Sequence, residues 1–131
     1  QLGAEKKLQI TADMDTDVYV VNGDYGRLRQ MLMIFVQNSI KFSAEGGSIE
    51  IALHGNKLTV TDHGCGIKQE DLLHAFDRFY KARNERNKSG SGLGLAIAKQ
   101  IALRHNMQLA LDSKEQVYTQ VTVTLPPKEK V

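Results

Sequence analysis

The sequence has little cysteine, little net charge and no long apolar run, and each shortage argues against a class of protein. A single cysteine, Cys65, cannot form an internal disulfide, which is typical of a chain in a reducing compartment. The net charge of +2 argues against a surface that binds nucleic acid, although this small charge is compatible with a local cluster of basic residues. The longest strictly apolar run, Met31 to Val36, is too short to cross a bilayer, and no secretion signal precedes it. These shortages predict a soluble domain.

Several common ligand motifs are also missing. The chain has no GxxxxGK[ST] segment, which rules out the common P-loop phosphate cradle. Its three closely spaced glycines read GxGxG after a polar loop, whereas a dinucleotide-binding fingerprint needs GxGxxG after a strand. A zinc site is not expected, because no metal-ligand spacing relates Cys65 to the four histidines, which are His54, His63, His74 and His105.

The remaining composition is that of one globular domain. The chain has 131 residues, of which 41% are apolar and 24% charged, enough to bury a core without disulfides or metals. In the first half of the chain, hydrophobic periodicity predicts strands at 8–12 and 18–21, a long helix capped by Asp24, and a hairpin over 48–62. The second half is predicted to contain a short helix near 69–75, a polar loop over 76–92, a helix over 93–104, and strands at 108–111 and 117–125. This order predicts an α+β fold of two layers, with helices on one face of a mixed or antiparallel sheet.

The long helix carries two different stripes. Its predicted core face consists of Leu28, Met31, Leu32, Phe35 and Val36. A second stripe holds Ile34, Asn38 and Lys41, and an amide oxygen beside an ammonium group suits a magnesium triphosphate. The alternative is that Asn38 and Lys41 simply face solvent.

Asp62 ends the predicted hairpin and begins the segment "DHGCGI". Strand alternation places it on the same face as Val60, toward the core, where a carboxylate needs hydrogen-bond donors. Gly64 and Gly66 would leave space for a flat ligand, and the exocyclic amine of a purine would satisfy the acid. The alternative is a tight turn with a solvated aspartate.

The segment "SGSGLGLAIA" places flexible residues directly before a helix. Helix N-terminal amides attract phosphate, so this arrangement predicts a phosphate site, with a plain turn as the alternative. The preceding loop contains Lys81, Arg83, Arg86 and Lys88, which could close over a polyphosphate or form an ordinary solvated face.

Taken together and in this order, "RLRQMLMIFVQNSIKFS", "VTDHGCGI", "FDRFYK" and "SGSGLGLAIAK" resemble the ATP-binding catalytic domain of bacterial sensor histidine kinases. That family belongs to the superfamily of DNA gyrase, heat-shock chaperones and mismatch-repair ATPases. The resemblance covers about Asp24 to Pro126. It implies a Bergerat-type sandwich of a five-stranded mixed sheet on three helices, with a flexible lid over ATP and Mg²⁺.

The resemblance also implies roles for individual residues. Asn38 would hold magnesium, Lys41 would contact phosphate, and these two would be the catalytic residues; Asp62 would receive the adenine amino group. The further nucleotide contacts implied are Gly64, Gly66, Ile67, Phe76, Phe79, Tyr80, Lys81, Gly90, Gly92, Leu93, Gly94 and Leu95.

The sequence departs from the family pattern at several points. Ile34 stands where histidine kinases usually have a second asparagine and where the hydrolysing relatives have a glutamate that activates water. This absence favours transfer to an outside nucleophile over hydrolysis. Ser89 replaces a lid glycine, and "HNM" at 105–107 and "SKEQVY" at 113–118 replace glycine-rich turns, which puts local loop shape in question.

The implied function is transfer of the γ-phosphoryl group of ATP to a histidine. None of the four histidines is followed by an acidic residue, as a phosphoacceptor of this family typically is. We therefore expect residues 1–131 to be the catalytic domain of a longer cytoplasmic or membrane-anchored kinase, binding ATP without phosphorylating itself and acting indirectly on a response regulator. The alternatives are a non-catalytic nucleotide-binding module and an ATPase of the same superfamily.

Overall fold

The computed structural model describes residues 9–15, 23–43, 46–72, 74–77 and 94–126. Within these ranges the strands are β1 (Gln9–Met14), β2 (Ser48–His54), β3 (Lys57–Asp62), β4 (Gln108–Lys114) and β5 (Tyr118–Thr124). The helices there are α1 (Tyr25–Phe42), α2 (Gln69–Leu72) and α3 (Gly94–Arg104). The strand predicted at 18–21 lies outside the described residues.

The five strands form one mixed sheet in the order β1-β2-β3-β5-β4. The edge strand β1 pairs with β2 in parallel, and the other neighbouring strands are antiparallel. The predicted hairpin is confirmed, because β2 and β3 pair through the turn at Gly55 and Asn56, and Gly55 has a φ of 62°. The mixed five-stranded sheet with three helices confirms the expected fold class.

The core lies between the sheet and the two longer helices. Its buried side chains come from alternate positions of the strands, from single stripes of α1 and α3, and from the turn between α3 and β4. They are Met31, Phe35, Ile49, Val60, Ala98, Ile101, Ala102, Met107, Val121 and Val123. Polar residues such as Glu50 and Thr122 alternate with them along the strands. One face of the sheet is therefore apolar, and this face packs against the helices.

The start and the end of α1 have identifiable causes. Asp24 has extended backbone angles, and its Oδ1 accepts a hydrogen bond from the Arg27 amide at 3.1 Å, which confirms the predicted N-cap. At the other end, the Ser43 amide and hydroxyl donate to the Ser39 carbonyl oxygen at 3.0 and 2.6 Å. Ser43 itself is extended, so the helix stops there.

Two details of the predicted elements are wrong. Leu32 is 36% exposed, because the buried stripe of α1 runs through Met31, Phe35 and Ser39, and Leu32 is rotated by about 100° from Met31. The helix predicted near 69–75 ends at Leu72. Beyond it, backbone bonds such as His74 amide to Asp71 carbonyl connect residues three apart, which is the spacing of tight turns rather than of an α-helix.

The turns that lack the family's glycines keep a glycine-like backbone. Asn106 follows α3 with a φ of 57°, and Gln116 lies between β4 and β5 with a φ of 66°. Both are in the left-handed region that glycine adopts at little cost. Across the described ranges, no helix is long and apolar enough to cross a membrane.

Candidate functional site

The candidate site begins where the last turn of α1 meets the end of β3. Asp62 is only 3% exposed, which confirms its predicted burial and contradicts the solvated-turn alternative. Its Oδ1 accepts a hydrogen bond from the Gly64 amide at 3.0 Å. The acid is therefore held by the loop that follows it, and the nearby Ser39 of α1 acts on its pKa.

Burial changes the acidity of Asp62. Loss of solvent raises its pKa to about 6, while the Gly64 amide, the Ser39 hydroxyl and the charge of His63 act in the opposite direction. The carboxyl group is therefore mostly ionised at neutral pH. A carboxylate can accept about four hydrogen bonds, so the donor from Gly64 leaves room for the amine of a ligand.

The glycines after Asp62 have a different role from the predicted one. A Cβ atom on Gly64 would overlap the carbonyl oxygen of Phe42, and one on Gly66 would overlap the carbonyl oxygen of Lys114. Gly66 also has a φ of +68°. The expectation that these glycines leave open space for a ligand is wrong for the Cβ positions, because the protein's own backbone fills that space. Their contact with a base stays a prediction.

Backbone hydrogen bonds clamp the loop that follows Asp62. The Cys65 amide donates to the Phe42 carbonyl at 3.2 Å, and the Cys65 carbonyl accepts from the Gln116 amide at 2.7 Å. The loop thus lies between the end of α1 and the β4–β5 turn. This explains why a left-handed Gln116 is tolerated, since its amide is used in holding the loop.

Sequence reasoning missed two buried serines that support the site. Ser39 acts on the pKa of Asp62, and Ser113 accepts a hydrogen bond from the Ile67 amide at 2.8 Å while donating to the Tyr118 carbonyl at 2.7 Å. Both could have been found by periodicity. Ser39 continues the buried stripe of α1 four residues after Phe35, and Ser113 continues the strand alternation two residues after Leu111.

The second half of the candidate site lies beside the start of α3. A Cβ atom on Gly94 would come within 3.5 Å of the Ile34 Cγ2, so α3 begins against the α1 stripe that carries Asn38 one turn later. Asn38 and Lys41 are both half-buried rather than fully solvent-facing. The Lys41 Nζ lies 5.3 Å from the centre of the Phe42 ring.

The remaining predicted contacts have mixed outcomes. Leu95 packs against the hydrophobic core. Phe76 lines two pockets together with α3 residues such as Lys99, and neither Asp62 nor Asn38 is among the described residues that line those pockets. The six other lid and glycine positions lie outside the described residues: Phe79, Tyr80, Lys81, Gly90, Gly92 and Leu93. Nucleotide contact by all of these residues stays a prediction.

The sequence also matches a family model over most of its length. The model described as histidine kinase-, DNA gyrase B- and HSP90-like ATPase matches residues 23–129. The chain belongs to this ATPase family. It binds ATP as the family does.

Relatives within the ATPase family confirm the resemblance to histidine kinases. The chain is 38% identical over 118 residues to the sensor histidine kinase YkoH of Bacillus subtilis, covering 87% of this chain and 26% of that protein. It is 37% identical over 124 residues to the sensor histidine kinase WalK of the same organism, covering 88% of this chain and 20% of that protein. The chain thus spans about a quarter or less of these relatives.

Solved structures confirm the fold. The mycobacterial sensor histidine kinase MprB matches with a TM-score of 0.87 and 27% identity, covering 98% of this chain and 90% of that chain. The catalytic domain of the histidine kinase ThkA matches with a TM-score of 0.77 and 21% identity, covering 97% of this chain and 85% of that chain. The chain therefore has the ATP-binding catalytic domain of a sensor histidine kinase, a class of transferases.

Proposed function

We propose that this domain binds Mg-ATP between Asp62 and the start of α3, and transfers the γ-phosphoryl group to a histidine in a separate dimerisation domain. One observation carries the nucleotide site. The buried acid, whose Oδ1 accepts from the Gly64 amide, begins a loop that is bonded through the Cys65 amide to Phe42, in the last turn of the helix that carries Asn38 and Lys41. The Asp62 carboxylate suits a purine amine, and the helix turn with Asn38 and Lys41 suits phosphates.

Asp62 would recognise the adenine. An ionised carboxylate accepts a hydrogen bond from the exocyclic amine, and burial among apolar strands strengthens that bond because water competes less. A guanine would present a carbonyl oxygen at the same place, which a carboxylate repels. Asp62 therefore favours adenine over guanine nucleotides.

The phosphates would lie toward α3 and the last turn of α1. The first amides of α3, from Gly94 onward, have no partner within the helix, and such amides bind phosphate oxygens. Lys41 supplies a positive charge on the turn that follows Asn38. In the proposal the lid residues Phe79, Tyr80 and Lys81 and the glycines at 90 and 92 close over the same phosphates.

The residues fit a magnesium ion that arrives with the nucleotide. Among the residues that the structure describes, no three side chains of His, Cys, Asp or Glu come together as a metal site. Asn38 offers one amide oxygen, and Mg²⁺ is commonly held by one or two protein oxygens together with phosphates and waters. Such an ion, when bound, would neutralise phosphate charge during transfer.

Ile34, one turn before Asn38 on the same stripe of α1, favours phosphoryl transfer over hydrolysis of ATP. Ile34 packs against the core and against Gly94, and its apolar side chain cannot activate a water molecule. Phosphoryl transfer consequently depends on a nucleophile supplied from outside the domain. We propose that this nucleophile is a histidine of the same longer kinase, which then passes the phosphoryl group to a response regulator in the cytoplasm, where ATP is available.

The test combines this domain with the dimerisation domain of its parent kinase and γ-radiolabelled ATP. We expect label on the acceptor histidine in the mixture and no label when this domain is incubated alone. Asp62→Asn should weaken ATP binding by about 1–3 kcal/mol in a calorimeter, because the new amide places a donor opposite the adenine amine.

Three outcomes would contradict the proposal. ATP binding without any labelling of the acceptor would indicate a non-catalytic nucleotide-binding module. Release of inorganic phosphate without labelling would indicate an ATPase. Unchanged ATP affinity in Asp62→Asn would remove the role assigned to the acid.

A further inference from the structure

Ser113 occupies a position of β4 where strand alternation calls for an apolar residue. It follows Leu109 and Leu111 on the side of the strand that faces the core, and it is only 4% exposed. A buried hydroxyl is unfavourable unless it forms hydrogen bonds. The partners of the Ser113 hydroxyl therefore indicate what it does at this position.

The Ser113 hydroxyl uses its whole hydrogen-bonding capacity. It donates its one proton to the Tyr118 carbonyl oxygen at 2.7 Å, and it accepts from the Ile67 amide at 2.8 Å. Its Oγ also lies 3.0 Å from the Thr119 Oγ1, and Thr119 is the donor there because the Ser113 proton is already used. The oxygen is thus fixed within the β4–β5 hairpin and holds the end of the loop after β3, residues 63–67.

The loop after β3 is attached to its surroundings at three described points. The Cys65 amide donates to the Phe42 carbonyl at 3.2 Å, and the Cys65 carbonyl accepts from the Gln116 amide at 2.7 Å. The third point is the bond from the Ile67 amide to Ser113. The first two bonds join backbone groups, which nearly every residue type supplies, whereas the third depends on a side chain. Ser113 is therefore the point at which a side chain of another element fixes the loop.

The same loop holds the proposed base-recognition residue. The Gly64 amide donates to the Asp62 Oδ1 at 3.0 Å, and two residues separate Gly64 from Ile67. One of them, Gly66, has a φ of +68°, and a Cβ atom there would overlap the Lys114 carbonyl. This close packing leaves the loop little freedom to absorb a displacement, so a shift of the Ile67 amide should also shift the Gly64 amide.

We propose that Ser113 is a positioning residue for adenine recognition: by holding the Ile67 amide it fixes the loop after β3, and the loop directs the Asp62 carboxylate through the Gly64 amide. This inference rests on the proposed function. The phosphates would be bound by α1 and α3, and none of the described bonds of the Ser113 hydroxyl goes to either helix. Loss of this hydroxyl should therefore weaken recognition of the base more than binding of the phosphates.

The experiment compares two nucleotides in each variant, namely Mg-ATP and the magnesium complex of purine riboside triphosphate, which is ATP without the exocyclic amine. The ratio of their dissociation constants in a calorimeter measures recognition of the amine and cancels the contacts to ribose and phosphates. In the wild-type protein we expect purine riboside triphosphate to bind about tenfold more weakly, as loss of one hydrogen bond to a charged group would give. In Ser113→Ala we expect this ratio to fall by about threefold or more, because ATP loses affinity and the analogue does not.

Two control variants separate the hydroxyl from side-chain volume and from stability. Ser113→Thr keeps the hydroxyl and should keep the wild-type ratio. Val123→Ala removes a buried core side chain at the other end of the same hairpin, so it lowers stability without removing a described bond of the loop. Its ratio should also stay at the wild-type value. Should Ser113→Ala not fold, Ser113→Cys replaces it with the same expectation, because a thiol is a weak acceptor.

A second measurement needs no ligand. Hydrogen exchange followed by NMR should show the Ile67 amide exchanging faster in Ser113→Ala than in the wild-type protein, because its acceptor is gone. The Gly64 amide should exchange faster as well, since the loop moves as one unit. Faster exchange at Ile67 with an unchanged Gly64 amide would overturn the link from Ser113 to Asp62.

The outcomes separate the two proposals. If the wild-type protein binds both nucleotides equally, adenine recognition by Asp62 fails first, and this inference loses its basis. If the wild-type protein discriminates and Ser113→Ala discriminates equally well, the role of Ser113 is overturned while the proposed function stands. A reduced ratio in Ser113→Thr would show that the hydroxyl is not responsible, and a reduced ratio in Val123→Ala would assign the effect to stability. Either result would overturn the inference.

Discussion

Asp62 is a single residue at which binding and stability make opposite demands. The proposed adenine contact needs a charged carboxylate, whereas burial in an almost closed position disfavours the charge. The Gly64 amide and the Ser39 hydroxyl reduce this conflict without removing it, because the pKa of Asp62 still rises to about 6. The acid is therefore expected to destabilise the ligand-free domain at neutral pH.

The pH dependence of stability follows from this shift. The pKa of Asp62 is about 6 in the folded state against an ordinary value of 3.8, so the folded state holds the proton more tightly. The stabilising effect of protonation is complete below the unfolded pKa and is lost as the pH rises through about 6. Urea denaturation at several pH values should show Asp62→Asn gaining stability relative to the wild-type protein by up to about 3 kcal/mol between pH 4 and 7. Parallel pH curves for the two proteins would contradict this prediction.

At the scale of elements, the end of α1 serves as the support for the loop after β3. The Phe42 carbonyl accepts from the Cys65 amide, and a Cβ atom on Gly64 would overlap the same carbonyl group. The close approach is possible only because Gly64 has no side chain. The loop and the helix end should therefore respond together to a substitution at this point.

Gly64→Ala tests this contact, with Gly26→Ala as the matched control. The new methyl group at position 64 would overlap the Phe42 carbonyl, so we expect a loss of about 1–3 kcal/mol in the free energy of unfolding and weaker ATP binding. Gly26 lies in the first turn of α1, where an added Cβ makes only an ordinary 3.4 Å contact with Asp24 Oδ1. Its replacement should be neutral or stabilising by up to about 1 kcal/mol. Equal stabilities of the two variants in urea would show that the loop can move away freely.

At the scale of the whole molecule, the candidate site is assembled from parts that are distant in sequence. α1 contributes Asn38, β3 contributes Asp62 at its end, the β4–β5 turn holds the loop that follows, and α3 begins against Ile34. No single element contains the site, so it exists only in the folded chain. A ligand that contacts all of these parts should therefore stabilise the fold as a unit.

Thermal unfolding with nucleotides tests this coupling. At a concentration of one hundred times its dissociation constant, ATP should raise the free energy of unfolding by about 2.7 kcal/mol, seen as a higher melting temperature. GTP at the same concentration should have a smaller effect, because its carbonyl oxygen would face the Asp62 carboxylate. An equal shift with ATP and GTP would contradict adenine recognition by Asp62.

Local sequence patterns were sufficient to predict the elements with strong signals. The Asp24 cap, the hairpin and the burial of Asp62 all follow from local periodicity and end signals, because these depend only on neighbouring residues. The order of the four motifs was also sufficient to indicate the family. The lid lies outside the described residues, so the predictions made for it remain predictions.

The groups that meet across the fold could be identified from the three-dimensional arrangement alone. Periodicity shows that a face is apolar, but it does not show which element covers that face or how far the cover extends, and for this reason Leu32 was placed wrongly in the core. The same limit hid the effect of Ser39 on Asp62 and the packing role of Gly64, since each joins α1 to the end of β3 or to the loop after it. Such contacts arise when separate elements pack, and packing is a property of the three-dimensional arrangement rather than of any local sequence.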